Sequence, residues 1–320
     1  MVETAGRITL WGVEVFAAIA DERSISAAAR RLGASPSSVS QQLTNLETSV
    51  GTALIDRSAR PLVCTPAGEL FRRRALTILN EAEQAKAELA AADMTRLSRF
   101  RIGMIEDFDA DVTPALLTEL ARDWPRTQFL LETGASHRLF DQLEARALDV
   151  VVSADMGEAA EGQEVHPLLE EPFVAAVPRG QVVGENRMEE LRALPLVQYS
   201  ARHFMGRQIA SHLATQDFRL SHRFELDSYH AILSMVAAGA GWTILTPLGV
   251  LRAQRFVRDV DIIELPFPSF SRRITLTARR GVLGDLPGDV ADRMKRHLGE
   301  MIITPFHERM PWLADKMRVL

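Results

Sequence analysis

The sequence is poor in the residues that build disulfides, metal centres and membrane spans. Only one of its 320 residues is a cysteine, Cys64, which excludes an internal disulfide and a cysteine-rich zinc site. The N-terminal stretch carries acidic residues and lacks an unbroken apolar core, so it predicts no secretory signal, and no apolar run reaches the length that a bilayer requires. These absences predict a protein of the reducing cytoplasm that has no membrane partner.

An excess of charge of one sign is also missing. The formal net charge is −5, with 25% charged and 47% hydrophobic residues, which excludes a largely disordered chain and a uniformly basic surface. A nucleic acid could therefore be bound only where basic residues gather locally. Between Glu22 and Ala75 eight arginines stand against four carboxylates, and the resulting charge of +4 suits phosphate binding, although a charge count alone is weak evidence.

The first 50 residues predict three helices. Apolar residues recur at helical spacing around Phe16, around Ala28, and again at Val39 and Leu43. A glycine-containing turn at residues 33–35 separates the second pattern from the third, which is the arrangement of a helix-turn-helix. In that motif the second helix of the pair enters the major groove of DNA.

The third helix predicts a polar face as well as an apolar one. It starts with a serine that can cap free amides, Ser35, followed by Pro36, and its serines and glutamines lie opposite the apolar stripe. Such a face is either an ordinary solvated surface or a set of partners for base edges and phosphates. The helix-turn-helix favours DNA, and residues 54–69 add two short extended pieces around a basic turn, as in a wing.

A long helix is predicted from residue 67 to residue 92, because this segment is rich in Ala, Leu, Glu and Arg and has no interior proline. Its apolar stripe has the four-three spacing of a coiled-coil seam. The residues of this stripe are Phe71, Ala75, Ile78, Ala82, Ala85, Leu89 and Ala92. The stripe either packs on the chain's own domains or pairs with a second copy, and the length of the helix favours dimerisation.

From residue 100 onward, predicted strands and helices alternate. Two series are predicted, each a parallel sheet covered by helices, and the strand at residues 272–280 returns to the first series with a helix near residues 290–301. Two such lobes form a cleft. Because ligands of open α/β sheets bind beyond the carboxyl ends of the strands, the residues that follow the strands are candidates for contact with a small molecule.

The N-terminal region resembles the LysR-type transcriptional regulators. The resemblance rests on SISAAARRLGASPSSVSQQLTNLETSVGTALIDR and CTPAG, which are similar to the family's serine-rich recognition helix, its Leu-Glu pair, its Gly-x-x-Leu-Phe-x-Arg and its Leu-Thr-x-x-Gly. Three apolar residues depart from the usual pattern: Ile25, Ile55 and Cys64. FRIGMI, LDVVV and VAAGAGWTILTP are weaker similarities to the family's effector domain.

The resemblance implies an α/β fold with an N-terminal all-α winged helix-turn-helix and a two-lobed effector domain like a periplasmic binding protein. The expected boundaries are residues 1–67 for the DNA-binding domain, 68–97 for the dimerisation helix and 98–320 for the effector-binding domain. Within the last, lobe 1 takes about 98–168 and 269–302, and lobe 2 about 169–268. A tail at 303–320 either docks on a neighbour or frays.

Carried over position by position, the resemblance implies a set of base and phosphate contacts. They fall on Ser24 or Ser26, Pro36, Ser37, Ser38, Ser40, Gln41 and Arg57. Gln41 is favoured for base reading, because glutamine can pair with adenine through two hydrogen bonds. Alternatives stay open for some: Ser26 can cap its helix, Ser40 can bond its own backbone, and Arg57 can be an ordinary surface arginine.

The same resemblance places ligand-facing side chains in the cleft. They are Asp107, Ser136, Ser153, Ser200, Phe204 and Thr246. A carboxylate at Asp107 disfavours an anionic group nearby, so the effector is expected to be cationic, a polyol or uncharged at that end. Asp107 can instead point to solvent, and Ser136 can cap the helix that it begins.

The implied function is transcriptional regulation by a DNA-binding homodimer or homotetramer that can also contact RNA polymerase. A small-molecule effector in the cleft would favour one lobe arrangement and change DNA binding or bending. The alternative is a cytoplasmic small-molecule binding protein without a transcriptional role. No enzymatic motif, cofactor or metal site is predicted. With Cys64 as the sole cysteine, a redox switch that needs a cysteine pair is excluded.

Overall fold

The computed structural model describes residues 7–90, 97–157, 161–216 and 222–320, which divide into two compact units. The elements of the first unit are α1 (Leu10–Glu22), α2 (Ile25–Leu32), α3 (Pro36–Val50), β1 (Ile55–Asp56), β2 (Val63–Cys64) and α4 (Pro66–Ala90). The three predicted helices are confirmed, and the two short strands pair antiparallel as a wing does. Within the described residues, no helix has the length and apolar character that crossing a membrane requires.

Hydroxyl groups begin the first three helices. Thr9 accepts the backbone N–H of Gly12 at 3.1 Å, Ser24 that of Ala27 at 3.3 Å, and Ser35 that of Ser38 at 3.2 Å. Such caps pair amides that a helix start leaves without partners. Ser24 thus caps α2, the role that the sequence had left open for Ser26.

The buried faces of these helices form one apolar core. Val39 and Leu43 of α3 are completely buried against Phe16 and Ile19 of α1 and the alanines of α2. Gly33, with φ 64°, ends α2 in a left-handed conformation that favours glycine and turns the chain into α3. The sequence therefore buries one side of α3 and leaves the other side to the solvent.

The start of α4 is pressed against the wing. Thr65 donates its hydroxyl to the Ala53 carbonyl at 2.8 Å and accepts the N–H of Gly68 at 3.0 Å. A Cβ at Gly68 would lie 2.0 Å from the Leu54 carbonyl oxygen, so only glycine fits here. The Thr-Pro-Ala-Gly run therefore fixes the start of α4 against Ala53 and Leu54, the residues just before β1.

The predicted dimerisation stripe of α4 is partly used inside the chain. Ala75 is completely buried in the core of the first unit, and the Phe71 ring meets Phe16 edge to face at 5.2 Å. Ala75 is therefore not free to contact a second copy, whereas Phe71 is only half-buried beside α1. Ile78 is exposed, Ala82 is half-buried, Ala85 is exposed, and the Leu89 side chain and Ala92 lie outside the described residues.

The second unit alternates strands and helices. Its helices are α5 (Val112–Asp123), α6 (Ser136–Glu144), α7 (Arg187–Ala193), α8 (Phe204–Thr215), α9 (Tyr229–Ala237), α10 (Pro247–Arg252), α11 (Leu286–Leu298) and α12 (Thr304–Arg309). Its strands are β3 (Arg99–Met104), β4 (Gln128–Thr133), β5 (Val150–Ala154), β6 (Gln163–Pro172), β7 (Val174–Pro178), β8 (Leu196–Tyr199), β9 (His222–Leu226), β10 (Thr243–Leu245), β11 (Val260–Ile263), β12 (Ser271–Arg279) and β13 (Arg318–Val319).

Lobe 1 is built on a mixed sheet with the strand order β13-β6-β12-β5-β3-β4. Only β3 with β4 and β3 with β5 pair in parallel, whereas β12 runs antiparallel to both β5 and β6. The expectation of a purely parallel sheet was wrong, because β12 returns from lobe 2 in the opposite direction. Its predicted return to the first lobe is confirmed.

Lobe 2 contains the antiparallel strands β10-β7-β11 and the parallel pair β8-β9. Two chain crossings join it to lobe 1, one between β6 and β7 and the other just before β12. At these crossings Phe173 donates its N–H to the Phe270 carbonyl at 2.9 Å, and the two rings stack with centroids 4.1 Å apart. The crossings are therefore held side by side.

The C-terminal segment folds back on lobe 1. Leu313 and Met317 are completely buried in its core, and β13 pairs antiparallel with β6. Arg318 reaches Glu170 of β6 at 2.8 Å. Neither docking on a neighbour nor fraying describes this tail, because its apolar residues already have partners within the second unit.

Candidate functional site

The polar face of α3 is exposed where the helix begins. Pro36, Ser37, Ser38 and Gln41 are all exposed, while Ser40 is half-buried. The Ser37 hydroxyl lies 3.0 Å from that of Ser35. The first turn of α3 therefore presents serine hydroxyl groups together with the backbone N–H of Ser37, an arrangement that suits phosphates and base edges.

The Gln41 side chain is held in one orientation by its neighbour one turn later. Its Nε2 donates to Asn45 Oδ1 at 3.0 Å. The amide oxygen of Gln41 and its second N–H then remain for other partners. An oxygen acceptor beside an N–H donor is the combination that matches the N6 and N7 atoms of adenine in the major groove.

The wing is fastened to α3 through Glu47. One oxygen of Glu47 accepts the backbone N–H groups of Leu54 and Ile55 at 2.8 and 3.1 Å, and the other accepts Arg57 Nη2 at 2.8 Å. Arg57 also donates to the Thr44 hydroxyl at 3.0 Å. Arg57 is thus committed to α3 as well as lying at the surface, and it fixes the wing beside the candidate DNA-reading face.

Some arginines of the basic segment are paired within the unit. Asp21, which lies just before the counted segment, accepts Arg72 at 2.9 Å and Arg31 at 3.4 Å. Arg60 is exposed and donates to the carbonyls of Arg57 and Ala59. Including Asp21 lowers the local charge from +4 to +3, so the basic surplus is smaller than the sequence count indicated.

A cavity of about 390 Å³ lies in the second unit where strand ends and helix starts of the two lobes meet. Of the six predicted effector residues, three line it: Asp107, Ser136 and Phe204. The other three do not line the cavity. Ser153 and Thr246 are completely buried, and Ser200 is buried and donates its hydroxyl to Glu225 at 2.7 Å.

An ion network of three buried side chains lies at the base of the cavity, where Asp107 and Arg272 line it and Glu171 lies behind them. Arg272 of β12 donates through Nη2 to Asp107 Oδ1 at 2.9 Å and through Nε to Glu171 Oε1 at 2.7 Å. Its Nη2 also reaches the Thr246 hydroxyl at 3.1 Å. Asp107 therefore lines the cavity but does not point freely into it, because one of its oxygens is already paired.

Glu171 is completely buried and both of its oxygens accept hydrogen bonds. Oε2 takes the backbone N–H of Leu248 at 3.0 Å, while Oε1 takes Arg272. Burial raises the pKa of the Glu171 carboxyl, and the guanidinium of Arg272 opposes that rise. The hydrogen bonds from Leu248 and Arg272 favour the charged carboxylate, whereas burial favours its neutral form.

Two tyrosines form one wall beside this network. The chain has only two, Tyr199 and Tyr229; both line the cavity, and their ring centroids are 5.4 Å apart. Tyr229 donates its hydroxyl to Asp107 Oδ1 at 3.2 Å. Burial, and then the charge of Asp107, raise the pKa of Tyr199 to about 12, and the same causes raise that of Tyr229 well above its ordinary value. Both hydroxyls therefore stay protonated and can donate.

The sequence missed the residues that give this cavity its chemistry. Arg272 is the second residue of β12, and its partners Glu171 and Asp107 lie 101 and 165 residues away along the chain. The concentration of both tyrosines near predicted strand ends was an available signal. The remaining polar lining residues are Glu106, Thr133, His137, Arg138, Arg202, His203 and Asp227. Within the part of the chain that is described, no group of His, Cys, Asp or Glu side chains has the arrangement of a metal site.

Models of two protein families match the chain. The family described as "LysR substrate binding domain" matches residues 96–289, and "Bacterial regulatory helix-turn-helix protein, lysR family" matches residues 10–69. The chain belongs to the LysR family. This LysR-type transcriptional regulator combines the expected winged helix-turn-helix with the expected two-lobed effector domain.

Relatives of this LysR-type regulator match it over most of their length. A probable hydrogen peroxide-inducible genes activator of Mycobacterium avium is 29% identical over 307 residues, which cover 94% of this chain and 97% of the relative. The DNA-binding transcriptional dual regulator OxyR of Escherichia coli is 27% identical over 274 residues, 84% of this chain and 88% of OxyR.

Solved structures share the fold. Full-length CbnR complexed with its target DNA superimposes with a TM-score of 0.61 at 20% identity, covering 91% of this chain and 99% of that one. A probable transcriptional regulator from Pseudomonas aeruginosa gives a TM-score of 0.67 at 18% identity, covering 91% and 97%. At these identities the likeness shows the fold of the LysR-type regulator and leaves its effector open.

Proposed function

We propose that the exposed start of α3 reads an operator in double-stranded DNA and that a small molecule in the cavity of the second unit controls this binding. The observation that carries the DNA half is the orientation of Gln41, whose amide is held by Asn45 with an acceptor and a donor left over. Ser37, Ser38 and Pro36 lie beside it at the surface and supply contacts to the backbone.

Ser24, Ser26, Ser40 and Arg57 are secondary contacts in this proposal. Ser26 is exposed, whereas Ser24 already accepts an amide and Arg57 is paired with Glu47. An ion-paired arginine can still approach a phosphate, but it has to share its guanidinium. Their share of the binding is therefore smaller than that of the α3 residues.

The test of the DNA half is a gel shift with the protein and the DNA upstream of its own coding region. We expect affinity to fall on the order of 100-fold between about 50 and 200 mM salt, because a few phosphate contacts release counterions. A duplex of the same composition in shuffled order is the control, and it should bind more weakly at both concentrations. Equal binding to both duplexes, or none at low salt, would contradict the proposal.

The dimerisation part of the proposal rests on the exposed side of α4. Leu76 and Ile78 are 50% and 37% exposed, although both are large apolar residues. Ile78, Ala82, Ala85 and Leu89 continue the four-three spacing beyond the point where Ala75 is buried. Sedimentation of an Ile78→Glu variant should show a shift toward monomer relative to the exposed control Thr77→Glu; equal masses would argue against pairing through this helix.

The effector half of the proposal has no redox component. Two of the relatives named above are hydrogen peroxide-inducible or OxyR proteins, but this chain has a single cysteine, Cys64, and it lies in the wing. A disulfide switch within one chain needs two cysteines. Ligand occupancy of the cavity is the remaining means by which the lobes can be biased. The proposal assigns the protein no catalytic role and places it in the cytoplasm, with its DNA target.

A further inference from the structure

Two buried carboxyl groups share one guanidinium at the base of the cavity. Asp107 and Glu171 are both carboxylates, and Arg272 is the guanidinium between them. All three side chains are at most 6% exposed, so water screens their charges poorly. Because Arg272 is divided between Glu171 and Asp107, a cationic group of a ligand beside Asp107 would complete the pairing of that carboxylate, whereas an anionic group would be repelled by it.

Asp107 keeps one acceptor for a ligand. Its Oδ1 takes both Arg272 and Tyr229, but among the described residues no hydrogen bond reaches Oδ2. The residue lines the cavity although its side chain is 94% buried, with an exposed fraction of 6%. The rings of Tyr199 and Tyr229 stand next to it, and aromatic faces attract cations. A buried acceptor beside two aromatic rings is a site for an ammonium group.

A second part of the cavity wall has the opposite preference. The residues that begin α6 and α8 line it, including Ser136, His137, His203 and Phe204. Both helices have at least eight residues, and His203 before α8 makes no side-chain cap bond, so the first amides of α8 keep their N–H groups for another partner. Free amides at a helix start favour an anion.

Basic side chains accompany these two helix starts. Arg138 and Arg202 line the cavity beside them, each at an exposed position. Asp227 and Glu106 also line the cavity, but at its exposed rim, and Asp227 lies 3.9 Å from His203. The wall of the cavity therefore combines the free acceptor of Asp107 with two helix starts that are accompanied by basic side chains.

We propose that the effector of this regulator is a small zwitterion of the amino-acid class, with its ammonium group at Asp107 and its carboxylate at the starts of α6 and α8. The inference rests on the proposed function, since it names the ligand class of the same cavity. It also refines the expectation from the sequence: the effector is cationic at the Asp107 end and anionic at the other.

The test is a thermal-shift measurement on the full chain with three matched probes for each of the twenty protein L-amino acids. The probes are the amino acid, the amine that lacks its carboxylate and the acid that lacks its amino group. At about 100 times the dissociation constant, the matching amino acid should raise the melting temperature by several degrees. The amine and the acid should bind at least about 10-fold more weakly, because each loses one charged contact.

Asp107→Asn is the variant that isolates the ammonium end, since it keeps the shape of the side chain and removes its charge. We expect it to weaken the stabilising amino acid about 10- to 100-fold and to leave binding of the acid probe unchanged. Asp292→Asn, an exposed carboxylate of α11 away from the cavity, is the matched control and should behave as the unaltered chain does. If Asp107→Asn fails to fold, the three probes on the unaltered chain still decide.

Two results would overturn the proposal. One is that an acid probe stabilises the chain as well as its amino acid does; the other is that none of the probes changes the melting temperature. Neither result touches the regulator function, because DNA binding is read separately by gel shift without any probe. Loss of DNA binding with intact amino-acid binding would instead remove the proposed function and keep the zwitterion site.

Discussion

The candidate DNA-reading face of α3 and the effector cavity differ in the exposure of their polar side chains and in the sequence distance to their hydrogen-bond partners. On α3 the functional side chains are exposed and bond to residues one turn away, as Gln41 does with Asn45. In the cavity they are buried and bond to residues far along the chain, as Arg272 does with Asp107 and Glu171. The first arrangement can be changed without disturbing the fold, whereas the second is part of what holds the two lobes together.

The largest expected effect comes from Arg272→Met. Methionine fills much of the space but leaves two carboxylates buried without their cation, and breaking a buried ion pair in this way costs about 3–5 kcal/mol. We expect a loss of that size in the free energy of unfolding, measured with urea. A loss below about 1 kcal/mol would contradict the view that this buried network helps to hold the two lobes together.

Arg273→Met is the matched control for this prediction. Arg273 is the next residue of β12, its side chain is 58% exposed, and its nearest carboxylate, Glu170, lies 3.7 Å away. A surface ion pair of this kind contributes at most about 1 kcal/mol. The two adjacent arginines should therefore differ by several-fold in their effect on stability.

A change of intermediate size is expected in DNA binding. Gln41→Ala should weaken binding to the operator by about 1–3 kcal/mol, because a bidentate contact to one base is lost, while the unfolding midpoint stays nearly unchanged. Fluorescence anisotropy with labelled operator and shuffled DNA measures it. Thr48→Ala, on an exposed later turn of α3, is the control. An equal loss on both DNAs would show that Gln41 contacts the backbone and not a base.

The smallest effect concerns the tail. Arg318 is the main cause of a lowered pKa at Glu170, so this pair stabilises the fold above the ordinary pKa of a glutamate, and the contribution is lost as the pH falls through the lowered value. Arg318→Ala should cost less than about 1 kcal/mol at pH 7, and this cost should shrink as the pH falls below the ordinary pKa of a glutamate. Urea unfolding at pH 7 and in acid checks it, with the exposed Arg309→Ala as control. A difference that persists in acid would mean that packing and not charge fixes the tail.

The same contrast explains what the sequence could predict. The helices and polar face of the first unit follow from local spacing and from caps such as Ser35, and they are confirmed. The cavity floor depends on Asp107 and Arg272, which are 165 residues apart, and no local pattern joins them. Strands β6 and β13 were missed for the same reason: each exists because a distant strand supplies its partner.

The dimerisation stripe shows the limit of periodicity. The four-three spacing of α4 indicates that one side of the helix is buried, but it does not indicate which element or chain covers that side. At Phe71 and Ala75 the partner is α1 of the same chain. A repeating apolar pattern therefore needs a second observation, such as the exposure of Ile78, before it can be assigned to pairing between chains.

The glycine at the start of α4 has a mechanical consequence. The Leu54 carbonyl occupies the place that a side chain at Gly68 would take, and Thr65 is hydrogen-bonded to Ala53. The start of α4 is therefore rigidly connected to the wing. A rotation of α4 about its axis would turn the wing as well, and the hydrogen bonds of Glu47 would transmit that rotation to α3. Lengthening this connection by even one residue would uncouple α4 from the wing.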